Sequence, residues 1–470
     1  MTISSDAIDA LDPKIAEYHA YWARNRQLVA GSRVVTANAS LYLTKSRDMD
    51  NDDFAQYAKR VPFYSAAART HDGLMGLMLR AAPKVEAPDN LSDILETITA
   101  QGFTIEDLAE ELASERLITN FTALVTDYPA TPAGLTAQQA IDGGYRPFVA
   151  VYRAESILGI ELGVVGNRQR VVRVRLLDNP DQVRELRLDG GVYTITIHRR
   201  GNSGWVADAP IVPARGGKPL DEIPFTLDST SRNFLPVNAP LGEICALNVY
   251  HYVASADLAT ERYYSTVRIF TTYGLKPEAS AKLPVYPGVK WDFEAKPGEA
   301  AVEIVSASDN TISDLRQAVQ DIEKQMATVG ARILESEQPA NVAAETTRIR
   351  DNSANASLAA IVRCGDRAMN DQLKWVAYWM GYDEKGTITY ETPTDFGSQP
   401  LDAQAITSRM QMWQAGAISR DTFLDMMIEA GVLAETFDRE ADAAKVEAEM
   451  IDRPTQIIDP QSQIDPNASA

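Results

Sequence analysis

Between Leu241 and Met380 the chain carries two helical segments, each with a single apolar stripe, separated by a strand-rich insert. No other stretch limits its possible folds as tightly. Leu247, Tyr250, Ala254 and Leu258 recur at helical spacing, and Leu315, Val319, Ile322, Met326 and Val329 step by four and three residues. A helix with one apolar stripe persists only when another surface covers it. Val267, Ile269, Thr271 and Tyr273 alternate, as do Val289, Trp291 and Phe293, so 266–273 and 289–305 read as strands, with Lys296-Pro297-Gly298-Glu299 as a hairpin turn. A proline-bearing polar loop and a third helix follow. A small β module on two helical legs suits contact and passage better than chemistry.

A length of 470 residues exceeds one simple core and suggests about two to four structural units. No apolar run approaches the roughly 20 residues of a membrane span. Met1 to Asp12 is acidic and polar, unlike a signal peptide, so the chain is expected to be soluble and made in the cytoplasm. Two cysteines, Cys245 and Cys364, leave no room for a disulfide framework or a thiolate zinc site and are expected to be plain buried side chains. The net charge of -20 argues against gripping nucleic acid through the overall field, although DNA could slide past such a surface. Charge is uneven. Arg168, Arg170, Arg173, Arg175, Arg184, Arg187, Arg199 and Arg200 crowd one region, while 435–470 is acidic. The alternation from Arg170 reads as a strand with one solvated basic face or, alternatively, as a face that meets an acidic neighbour.

Along the chain, helices are expected over 3–30, 55–80 with Pro62 at a boundary or kink, 91–100, and 104–119 with Thr104 as N-cap. A short strand covers 121–127. From 147 to 225 the period switches to two, with strands at 148–153, 164–177, 185–188, 192–198 and 205–206, which makes a compact antiparallel β unit. Helices at 402–415 and 420–430 flank Gly416, with Ser419 as an N-cap, and an exposed helix covers 439–450 before a polar tail. The fold class is therefore α+β, with several domains.

Signals for chemistry are thin. Gly216-Gly217-Lys218-Pro219 lacks the spacing of a phosphate loop, and Gly73-x-x-Gly76 sits in a helical pattern where close helix packing is the natural reading. His19, His71, His198 and His251 are scattered without metal-ligand spacing. Asp52-Asp53 and Asp221-Glu222 read as solvated connections. No catalytic residue, metal or cofactor is expected, and the chain is not expected to be an enzyme. Two rival readings stay open: a multi-domain enzyme with a site of scattered carboxylates, and an adaptor or scaffold that binds through the arginine-rich face.

Several phrases, in order, resemble the portal proteins of tailed bacteriophages, in the branch long catalogued only as a domain of unknown function. They are Val34 to Tyr42, Tyr57-Ala-Lys-Arg-Val-Pro-Phe-Tyr, Thr70-His-Asp-Gly-Leu-Met-Gly-Leu-Met-Leu-Arg, Gly102-Phe-Thr-Ile-Glu-Asp-Leu-Ala and Leu124-Val-Thr-Asp-Tyr-Pro. Further on come Pro147-Phe-Val-Ala-Val-Tyr-Arg, Ile223-Pro-Phe, Leu247-Asn-Val-Tyr-His-Tyr-Val-Ala, Ile388-Thr-Tyr-Glu-Thr-Pro and Gly416-Ala-Ile-Ser. Two places depart from the pattern: Thr126 stands where valine is expected, and Leu158-Gly159 replaces isoleucine-asparagine-tryptophan.

The resemblance implies a homo-oligomeric ring, usually of twelve subunits, at one capsid vertex of the virion, assembled in the host cytoplasm. Its implied partners are terminase, a head–tail adaptor, the capsid protein and double-stranded DNA passing through without sequence specificity, with no membrane. It divides the chain into a wing (1–241, with the β unit at 147–225), a stem helix (242–265), a clip (266–312), a second stem helix (313–331), a tunnel loop (332–343), a wing helix and strand (344–394), crown-like helices (395–450) and a disordered tail (451–470). The implied sites are Glu335, Glu337, Gln338 and Asn341 at the DNA channel, Tyr273, Lys276, Lys282 and Tyr286 for clip docking, and Leu315, Val319, Ile322 and Met326 for stem contacts between subunits.

Overall fold

The computed structural model describes residues 7–45, 47, 49–129, 132, 139, 143–231, 233–266, 269–273, 301–305, 309–334, 344–382, 387–394, 403–429, 432–433 and 437–452. The chain forms two compact units, Met1–Thr394 and Asp395–Ala470. Helices and sheets are largely segregated along the chain, an α+β arrangement.

In the first unit, α1 (Pro13–Val29) begins where Asp12 accepts the Lys14 N–H at 2.8 Å and Pro13 occupies the first turn, so the helix expected from residue 3 starts at 13. After α2 (Ser32–Ala37), the helix expected over 55–80 is two: α3 (Asn51–Arg60) and α4 (Ala66–Met78), parted at Val61-Pro62. Asp50 and Asp53 form a capping box on α3, which places Asp52 and Asp53 in a helical first turn instead of a loop. The close packing expected at Gly76 is absent: a Cβ there would meet nothing within 4 Å. Strand β1 (Lys84–Glu86) and α5 (Asp89–Leu95) lead to α6 (Ile105–Ile118), capped by Thr104 and Asp107.

Two sheets follow. Strands β2 (Thr122–Asp127) and β3 (Phe148–Tyr152) pair antiparallel, and β11 (Phe225–Asp228) joins the other edge of β2. The larger sheet is a five-stranded meander of β4 (Ile157–Val165), β5 (Arg168–Asn179), β6 (Gln182–Asp189), β7 (Val192–Gly201) and β8 (Gly204–Ala207). The single strand expected over 164–177 is thus a hairpin, turned at Gly166-Asn167 with φ of 56° and 61°. Both central residues of such a two-residue turn need positive φ, which glycine and asparagine tolerate best. A short pair, β9 (Ala214–Arg215) and β10 (Lys218–Pro219), precedes β11.

The chain leaves this body through α7 (Gly242–Thr266), runs through β12 (Ile269–Tyr273) and β13 (Ala301–Val305), and comes back through α8 (Asp309–Leu334) and α9 (Ala344–Trp379). Strand β14 (Thr389–Glu391) then pairs with β1. One core gathers Trp22, Phe121, Leu176, Leu186 and Tyr193 between α1 and the two sheets. A second gathers Leu91, Ile98, Leu108, Leu124, Leu373 and Val376, so the C-terminal half of α9 packs into the body. Gln372 of α9 accepts from the Thr126 hydroxyl and donates to Thr226, each at 2.7 Å, pinning the helix to β2 and β11.

The second unit holds α10 (Ala403–Gln414), α11 (Arg420–Glu429) and α12 (Arg439–Asp452). Gly416, at φ 71°, ends α10, and the Ser419 hydroxyl accepts the Thr422 N–H to start α11. Trp413 stacks on Phe423 at 5.1 Å.

Candidate assembly surface

The two legs between residues 242 and 334 pack on one another within the chain. Gly330 lies against Ile244, and the Glu323 carboxylate is 3.2 Å from His251 Nε2. Seven residues back on α8 match seven forward on α7, so the legs are antiparallel. On α7 the buried positions Ile244, Asn248, His251, Ser255 and Leu258 step by four and three, the spacing of a coiled-coil seam. The facing stripe on α8 has the same spacing: Met326 is buried at 3% exposure, while Leu315, Val319 and Ile322 are half-buried.

Three of the five α7 seam positions are polar. Asn248 is fully buried because it works for another helix: its side-chain oxygen accepts the Ala67 N–H at 3.0 Å, and its amide donates to the Tyr64 carbonyl at 2.7 Å. Ala67 is in the first turn of α4, whose own N-cap Ser65 makes no side-chain hydrogen bond. α7 therefore supplies a cap that α4 lacks. His251 bonds Glu323 through one nitrogen and lies 3.5 Å from the Ser255 hydroxyl through the other. At the root, the Ala239 N–H donates to the Tyr21 hydroxyl. Cys245 is buried beside these groups, and burial pushes its thiol up to about 12.

At the far end of the legs, β12 and β13 form an antiparallel ribbon from Ile269↔Val305 to Tyr273↔Ala301, with no third strand among the described residues. Tyr273, expected to dock a partner, ends β12 at 54% exposure. Lys276, Lys282 and Tyr286, and the loop residues Glu335, Glu337, Gln338 and Asn341, lie outside the described residues. So does the hairpin turn at Lys296 to Glu299. The outer face of α7 keeps Tyr250 67% exposed and Val253 37% exposed, so part of its expected apolar stripe is uncovered by α8.

The arginine-rich sheet face is mostly neutralised from within. Arg173 bridges Glu161 and Glu185, Arg184 bridges Asp127 and Asp178, Arg187 meets Asp189, Arg199 meets Asp208, and Arg200 meets Asp9. Arg175 crosses over Gly159 and donates to the carbonyls of Ile8 and Ala10 at 3.1 and 2.6 Å. Deeper, Arg116 and Asp228 form a bidentate pair at 2.8 Å with almost no exposure on either side. No group of three or more His, Cys, Asp or Glu among the described residues could hold a metal ion, and no described helix is long and apolar enough to cross a membrane.

Residues 240–380, which span both legs, the ribbon and α9, match the model of a family described as a domain of unknown function (DUF4055). No curated protein matches the chain. Among solved structures, the neck of an empty gene transfer agent (GTA) particle computed with C6 symmetry matches at a TM-score of 0.38 and 14% identity, over 85% of this chain and 98% of that one. A virion of a native gene transfer agent particle matches at 0.36 and 14%, over the same shares.

Sequence reasoning missed the residues that anchor the legs. Asn248 and His251 stand in an apolar-looking helix, and only their fit to the four-and-three seam, beside Ile244 and Leu258, marks them.

Proposed function

We propose that this chain is a portal: a structural subunit that closes into a ring at one vertex of a phage-type particle and lets DNA pass in during packaging and out during delivery. The observation that carries the reading is the excursion of the chain from the body, out along α7, through a ribbon with two strands among the described residues, and back along α8 to a helix embedded in the body. The ordered phrases that resemble tailed-phage portals supply the identity of the ring. In this reading 242–265 and 313–331 are the stem, 266–312 is the clip that docks terminase and adaptor through Tyr273, Lys276, Lys282 and Tyr286, and 332–343 lines the channel with Glu335, Glu337, Gln338 and Asn341. The remainder of 1–394 is the wing, and 395–450 are the crown-like helices. The uncovered Tyr250 and Val253 of α7 face the neighbouring stems, together with the edges of Leu315, Val319 and Ile322 that α7 leaves open, while Met326 is covered within the chain.

An excess of acid suits this task, since an acidic lumen repels phosphates and leaves DNA free to slide. Negative-stain images and the mass of the purified particle test the proposal directly. Closed rings with a central hole, at about twelve times 51.5 kDa, are the expected result. A chain that stays monomeric at every concentration overturns it.

A further inference from the structure

Among the described residues, charge is left over on the arginine-rich sheet at the β4–β5 hairpin. Arg168 and Arg170 meet no carboxylate among the described residues, whereas Arg173, Arg184, Arg187, Arg199 and Arg200 all meet carboxylates within 3.4 Å. On the other face of the same hairpin Val164 is 79% exposed, the largest value among the exposed large apolar side chains of the described residues. A tight turn at Gly166-Asn167 forms the tip, with Arg168 and Arg170, which pair across with Val165 and Gly163, on one face and Val164, which pairs with Gln169, on the other.

A groove of the opposite character opens between α4 and α6, with Met75 in its floor, Phe103 52% exposed, and Asp72, Asp107, Glu110 and Glu111 along its sides. Its own cation, Arg153, is already held by Glu111 and Glu115 at 3.4 and 3.3 Å. Glu110 has no ion-pair partner among the described residues. The free volume of about 590 Å³ matches a ligand-sized cleft and exceeds what a single ion needs.

We infer that the β4–β5 tip of one copy enters the α4–α6 groove of the next as a wedge, with Arg168 and Arg170 on one face against Asp72 and Glu110 and Val164 on the other face against Phe103. This rests on the ring reading above and adds the contact between bodies that the stems do not provide. Because tip and groove are different surfaces, the contact is head-to-tail, and repeated contacts of that kind close a ring when the rotation permits. DNA is the weaker occupant for the tip, since the chain as a whole is at -20 and a protruding valine offers phosphate nothing.

The test uses the full chain and reads particle mass. Arg168→Glu with Arg170→Glu is expected to shift at least nine-tenths of the protein from rings to monomers, and Asp72→Lys with Glu110→Lys to do the same. All four changes in one chain restore rings by re-pairing the charges. Unchanged thermal midpoints establish that the exposed substitutions leave the fold intact. As a second readout, Arg168→Cys with Glu110→Cys is expected to give, under oxidation, a ladder at multiples of the chain mass that neither single variant gives.

Rings that survive both charge reversals, or that the four-fold variant fails to restore, overturn the contact while leaving the ring itself standing. Reversed-tip rings that stay whole but lose retained DNA assign the tip to nucleic acid and overturn it too. Absence of rings in the unaltered protein overturns the ring reading, and this contact falls with it.

Discussion

At the scale of single residues, two glycines in helices separate structural necessity from accident. A Cβ on Gly365 of α9 would overlap the Arg116 guanidinium, which is held bidentate by the buried Asp228. We expect Gly365→Ala to disturb that pair and cost about 3–5 kcal/mol, the usual loss when a buried ion pair is broken. Gly76 of α4 has open space around it, so Gly76→Ala is expected to stabilise by about 0.5–1 kcal/mol through helix propensity alone. Urea titration of both variants checks the pair, and equal effects would refute this account. Glu185 gives a pH signature. Burial pushes its carboxyl up, but Arg173 at 2.5 Å and His198 at 3.1 Å outweigh burial and hold it below the ordinary value. A lowered folded-state pKa stabilises above the unfolded value, and the gain is lost as pH falls through the folded one. Glu185→Gln is therefore expected to lower stability at pH 7 and to converge on the parent in acid; a constant gap across pH would contradict it. Both departures from the portal-like pattern also have a local reason. The Thr126 hydroxyl is matched by Gln372, and Gly159 clears the path of Arg175.

At the scale of elements, the tie between α4 and α7 rests on one side chain. Asn248→Ala leaves the Ala67 N–H and the Tyr64 carbonyl without their partner, and we expect a loss of about 1–3 kcal/mol together with faster hydrogen exchange at the start of α4. Unchanged exchange at Ala67 would show that α4 does not depend on the cap. Elements with strong local punctuation were legible in the sequence: the Thr104 cap, the strands from 182 to 207 with their glycine turns, and the breaks at Pro62 and Gly416. The β4 strand was not, because Leu158-Gly159 and Gly163 weaken its strand pattern and Gly166-Asn167 reverses the usual order of the turn residues. The start of α1 was available in Asp12-Pro13 and was overrun by the apolar pattern from Ile3. The stripe on α8 was visible. On α7 the stripe read from Leu247, Tyr250, Ala254 and Leu258 shares only Leu258 with the buried seam, because polar Asn248, His251 and Ser255 hide it. The pairing of the two helices inside one chain was not legible, since periodicity reports a face without naming what covers it. The pairing of the sheet arginines was equally hidden, because it depends on strand register that the charge run does not encode.

At the scale of the whole molecule, the proposed channel loop can be probed without disturbing the described body. Glu335→Lys with Glu337→Lys is expected to leave rings intact and to slow DNA packaging, with the defect easing as salt rises and screens the new cations. Packaging at the normal rate in the double variant would remove the loop from the DNA path. The polar seam between the legs bears on how such a particle carries load. Sliding α7 against its neighbours by one heptad would part His251 from Glu323 on α8 and Asn248 from Ala67 and Tyr64 at the start of α4, and each buried group left unpaired resists by about 1–3 kcal/mol. A purely apolar seam would slip and re-form one heptad further on. With polar teeth at fixed positions the legs behave as a strut of set length: a push at the ribbon passes into α4 through the Asn248 cap, and the tip and body move as one piece until the teeth shear at once.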